Sequence, residues 1–93
     1  GKIASEAFIH AYSHLYNIRS WMFRFGNVIG LRVTHGILYD FINKLKKNSS
    51  VLKVLGDGTQ EKNYFLTEEC IQGMIWSFNN IKLDDENPCE CIN

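Results

Sequence analysis

The chain has 93 residues, 45% of them hydrophobic and 13% aromatic, and ten basic residues balance ten acidic ones. That length holds one small domain at most, near the lower limit for burying a core that offsets chain entropy, and the composition excludes a disordered tail. Zero net charge excludes a general polyanion-binding role, so neither nucleic acid nor an anionic membrane is an expected partner.

The chain opens with "GKIASEAF", a helical pattern with no capping Ser, Thr, Asp or Asn before Lys2. From Ile3 to Leu15 the apolar residues Ile3, Ala4, Ala7, Phe8, Ala11, Tyr12 and Leu15 recur at three- and four-residue spacing, which predicts an amphipathic helix ended by Asn17. His10 and His14 on it have a spacing that can bind zinc. No glutamate lies between them and Glu6 makes only a loose third ligand, so surface or interface histidines and no metal are expected.

"SWMFRFGNV" has the aromatic and branched residues of a buried strand. A second helix follows in "HGILYDFINKLKKN", where Ile37, Leu38, Phe41, Ile42 and Leu45 form the stripe and lysines complement the negative end of the helix dipole. "VLKVL" alternates as a short strand does, "GDG" supplies a turn, and "KNYFLT" reads as another short strand. Thr67 is the expected N-cap of a helix through "EECIQGMIWSFNN", and "CECIN" reads as the beginning of a last strand.

Cys70 stands apart from Cys89 and Cys91, which lie too close together for a zinc half-site. Three cysteines therefore read as free thiols in a reducing cytosol. No apolar run approaches the roughly 20 residues that span a bilayer. The alternation of helix and strand predicts an α/β fold in the order helix-strand-helix-strand-strand-helix, with too few strands to close a sheet covered on both faces.

Three segments together carry a family resemblance over nearly the whole chain. "GKIASEAF" is similar to the lysine end of a Tyr-x-x-x-Lys motif and its helix, "FRFGNVIGLR" to R-x-x-N-V-x-G-P-R, and "GDGTQEKNYFLTEEC" to G-D-G-x-Q-x-R-D-F-x-x-V-x-D. In this order they resemble the NAD-dependent epimerase/dehydratase family of extended short-chain dehydrogenases/reductases.

The resemblance implies a partial Rossmann-type fragment lacking the N-terminal dinucleotide-binding half, cut at both ends, with the family's catalytic tyrosine four residues before Lys2. Residues 1–30 would be the lysine helix and following strand, and 31–93 the substrate-binding portion. Lys2 would lower the tyrosine pKa and hold the nicotinamide ribose of NAD. Asn27 would hydrogen-bond the nucleotide-sugar, and Gly36 and Ile37 would present backbone to its base. Lys62 stands where the family has an arginine on the substrate diphosphate, keeping the charge without the bidentate fork. Arg32 belongs to the G-P-R element, although Leu31 replaces its proline. Arg24 is expected to anchor structure.

The implied activity is part of a cytoplasmic, homo-oligomeric nucleotide-sugar epimerase acting at C4 of a UDP-hexose and inactive as this piece alone, where NAD is not expected to bind. A nucleotide-sugar 4,6-dehydratase and a non-catalytic self-associating module are the alternatives.

Overall fold

In the computed structural model, which describes residues 1–93, the helical stripe of the opening segment closes into α1 (Lys2–Tyr16). Asn17 ends it in the left-handed region (φ 54°, ψ 43°), its amide donating to the Ser13 carbonyl. The remaining elements are β1 (Ser20–Phe23), β2 (Asn27–Ile29), α2 (Ile37–Lys47), β3 (Tyr64–Leu66), α3 (Thr67–Asn80) and β4 (Cys89–Ile92). The class is α/β, with parallel strand pairs. No helix is long and apolar enough to cross a membrane.

The chain divides into two compact units, Gly1–Phe25 with Glu68–Asn93, and Gly26–Thr67. In the first, β1 and β4 pair in parallel with Ser20 opposite Cys89 and Phe23 opposite Ile92. The Arg24 amide extends the ladder to the Ile92 carbonyl at 2.8 Å. Here α1 meets the sheet through polar groups. Ser13, almost fully buried, shares a 2.8 Å hydrogen bond between its Oγ and that of Ser20, and Glu6 takes both Nε and Nη2 of Arg24 at 2.9 and 2.6 Å. The apolar stripe points outward instead, with Ile3 84% and Leu15 75% exposed. Trp21 packs against Phe78 of α3 (ring centroids 4.9 Å apart) and donates its indole N–H to the Ile81 carbonyl.

In the second unit, β2 and β3 pair in parallel, Asn27 opposite Tyr64 and Ile29 opposite Leu66, with α2 within the crossover that a parallel pair requires. Gly56 and Gly58 adopt φ 91° and 80°, the left-handed region that glycine enters freely. Between them Asp57 accepts from both the hydroxyl and the amide of Thr59, which together hold its carboxyl below the usual range. No hydrophobic residue of the chain is fully buried.

The local expectations need four corrections. Residues 20–28 form two strands instead of one, because the chain changes partners at Arg24–Gly26, from β4 to β3. "VLKVL" is irregular: no strand lies beside residues 51–55, and the Lys53 carbonyl takes a hydrogen bond from Lys44 Nζ instead. Thr67 is the first helical residue of α3 and no N-cap, and its hydroxyl donates to the Ile29 carbonyl at 3.1 Å. The element order is accordingly helix-strand-strand-helix-strand-helix-strand.

The Thr67 contact gives Gly30 a specific cost of substitution. A Cβ at Gly30 would sit 2.5 Å from Thr67 Oγ1, so the threonine must rotate and abandon Ile29. Gly30→Ala is expected to destabilise the chain by about 0.5–1.5 kcal/mol, the worth of one hydrogen bond. Chemical denaturation should show a smaller loss for the same change in a Thr67→Ala background, since the bond is already gone there.

Candidate functional site

A groove of about 530 Å³ in the second unit runs along β2 to the start of α2 and β3. That volume lies in the range of small-molecule sites. Asn27, Gly36, Ile37 and Lys62 all line it, with Tyr64 and His35 beside them. Three separate stretches of sequence thus bring four of the expected site residues onto one surface.

Asn27 opens β2, exposed, with its amide Nδ2 3.4 Å from the Asn63 carbonyl. Its Oδ1 remains available as an acceptor, so the side chain can meet a hydroxyl-rich ligand through both functions. Gly36 precedes the first turn of α2 at φ 95° and ψ 172°, a conformation that a side chain resists. Glycine there leaves the first backbone N–H groups of α2 uncovered, and these carry the positive end of the helix dipole. Ile37 is the first residue of that helix.

Lys62 lies in the loop before β3, exposed, and in no ion pair; the cations that do pair are Arg19, Arg24 and Lys44. It lines the groove and also a neighbouring hollow of about 550 Å³ formed with Phe41 and Gln60. An unpaired lysine on the same groove as the start of a helix is a combination suited to anions. Arg32 sits in an exposed turn and does not line the groove, although Leu31 and Val33 do.

Lys2 belongs to the other unit, where it is the first residue of α1, exposed. What anchors that helix is the Glu6–Arg24 pair. The Arg24 guanidinium holds the Glu6 carboxyl below the usual carboxylate range. Because the folded value is the lower one, the pair's stabilisation is present above the unfolded value and is lost as pH falls through the folded one. Melting temperatures of parent and Glu6→Gln chains should therefore differ near neutral pH and converge once the pH has fallen below the lowered Glu6 value. The difference should be small for so exposed a pair and should shrink with salt. At the far end of the unit, Arg19 donates to Asn17 and, at 2.5 Å, to Asp85, whose carboxyl is held low by that bond.

Tyr64 and His35 are site residues that no sequence pattern singles out. Tyr64 is legible only once β3 is registered against β2, which puts it opposite Asn27.

The chain as a whole is similar to known proteins. The model of a family described as "NAD dependent epimerase/dehydratase family" matches residues 1–88. The chain is 29% identical over 82 residues to the proposed UDP-glucose 4-epimerase of Methanocaldococcus jannaschii, covering 84% of this chain and 27% of that protein. It also superimposes on a crystal structure of UDP-galactose 4-epimerase with a TM-score of 0.82 and 33% identity, over 99% of this chain and 29% of the other. The chain thus spans less than a third of the length of either relative.

Proposed function

The chain belongs to the NAD dependent epimerase/dehydratase family, and we propose that it is the part of a nucleotide-sugar 4-epimerase that contributes the motif lysine and the substrate groove. The observation that carries this reading is the convergence of Asn27, Gly36, Ile37 and Lys62 on one groove. The names of both relatives support a UDP-hexose as substrate.

In this reading the backbone of Gly36 and Ile37 meets the nucleotide base and the Lys62 ammonium meets the diphosphate. Asn27 orients the nucleotide-sugar through its amide. Gly36 holds the positive φ of 95° that a side chain would strain. Lys2 is proposed for the proton chemistry: its ammonium would favour the phenolate of the motif tyrosine and hold the nicotinamide ribose. In the whole enzyme, the chemistry that bound NAD would supply is reversible hydride transfer. The fit of this chain to that cofactor is partial: Lys2 is an exposed cation in no ion pair, while no G-x-G-x-x-G fingerprint occurs in the 93 residues. The working enzyme is proposed as a cytoplasmic homo-oligomer, with the outward apolar stripe of α1 available for assembly.

Titration of UDP into the isotopically labelled chain tests the reading. Amide shifts should concentrate at Gly36, Ile37 and Lys62 and leave α1 unmoved, and NADH should give no saturable fluorescence change. Shifts outside the groove, or none at all, would overturn the assignment of the groove.

A further inference from the structure

α1 sets His10 and His14 one turn apart with ring centroids 4.6 Å from each other. β4 begins at Cys89, paired with Ser20, the residue whose hydroxyl is bonded to Ser13 of α1. That bond lays the polar side of the helix against the start of the strand. As a result, a ring nitrogen of His10, a ring nitrogen of His14 and the Cys89 sulfur lie within 4.8 Å of one another. We infer that His10, His14 and Cys89 form a binding site for a divalent cation of the zinc class.

The geometry needs little change to close. A tetrahedral zinc ion with ordinary bonds to nitrogen and sulfur holds its ligand atoms about 3.3–3.6 Å apart. A contraction of at most about 1.2–1.5 Å is therefore enough, and the two imidazoles are exposed beside a half-exposed thiol. The donor set also selects the ion. Two imidazoles and a thiolate, with no carboxylate, suit zinc and disfavour magnesium and calcium, which take oxygen ligands. Three protein ligands leave the fourth position to water.

Binding exchanges the Cys89 S–H bond for a sulfur–metal bond and releases that proton to solvent, while both imidazoles bind neutral through a lone pair. No oxidation state changes. The consequence is mechanical: α1 and β4 are held together in a unit where no hydrophobic residue is fully buried, and a metal staple matters most in so small a core. The sequence places no third ligand close to the two histidines. Cys89 is that ligand, brought in by the fold.

The test uses the reduced chain of 93 residues, with Co²⁺ as spectroscopic probe and Zn²⁺ as competitor. One equivalent of Co²⁺ should give intense tetrahedral visible bands and a thiolate charge-transfer band, both erased by Zn²⁺. Melting temperature should rise with the logarithm of free Zn²⁺ and ignore Mg²⁺. Cys89→Ser should remove the charge-transfer band, and His10→Ala or His14→Ala should weaken Zn²⁺ binding at least about tenfold. Cys70→Ser and Cys91→Ser should bind as the parent does. A charge-transfer band that survives Cys89→Ser, an octahedral cobalt spectrum, or one metal per two chains would overturn the site. Should Cys89→Ser fail to fold, the exposed His14→Gln variant decides, since unchanged affinity there overturns the site equally.

Discussion

Replacing Lys2 with methionine in the whole enzyme is expected to lower kcat by about 10²-fold or more, the scale on which a positioned acid or base contributes. The reasoning runs through charge. In the proposed site the Lys2 ammonium stabilises the phenolate of the motif tyrosine, so its removal should raise the tyrosine pKa and leave less of the base form near neutral pH. The acid limb of the kcat/KM profile should therefore move to higher pH. NAD affinity should fall as well, because the same ammonium is proposed to hold the nicotinamide ribose. Methionine is close to lysine in helix propensity and Lys2 is exposed at the start of α1, so the fold should be unaffected. Lys2→Arg keeps the charge and should restore the position of the acid limb while leaving kcat below the parent. Unchanged kcat together with an unshifted pH profile in Lys2→Met would return this residue to an ordinary solvated lysine.

The helices of this chain are legible in sequence because each carries its own evidence. The stripe from Ile3 to Leu15 and the left-handed Asn17 are local facts, and so are the apolar positions and terminal lysines of α2. Strands are different. The alternation in "VLKVL" describes one face of a ladder and says nothing of a partner, and residues 51–55 have none. In the same way "SWMFRFGNV" looks continuous until two different partners, β4 and β3, divide it at Arg24–Gly26. Thr67 has the chemistry of a cap, but its hydroxyl donates to the carbonyl of Ile29, distant in sequence. The same distinction separates the site residues. Asn27 and Lys62 belong to motifs and Gly36 and Ile37 follow from the family resemblance, so all four can be named in advance, whereas their gathering on one groove depends on β2 pairing with β3. Arg32 shares a motif with Asn27 and still does not line that groove, because alternation along an irregular turn does not dictate where a side chain goes.

Lys62 is where the proposed function is most exposed to refutation. Its ammonium lines the groove that begins at the N-terminus of α2 and is engaged by no carboxylate, so it is available to an anion. Lys62→Ala in the whole enzyme is expected to raise KM for the nucleotide-sugar about 10–100-fold, corresponding to about 1.5–3 kcal/mol for a hydrogen bond to a charged group. The lower end applies if water keeps access to the site. kcat should change by no more than about twofold, because the diphosphate is remote from the reacting carbon and keeps its charge through hydride transfer. Lys62→Arg should bind as well as the parent or better, since a guanidinium engages two phosphate oxygens at once. A ligand comparison isolates the charge: Lys62→Ala should weaken UDP and leave uridine, which has no phosphate, unaffected. Equal losses for UDP and uridine would mean that the substitution has disturbed the groove itself. Unchanged affinity for both would remove Lys62 from the substrate site and with it the assignment of the "GDGTQEKNYF" segment to diphosphate binding.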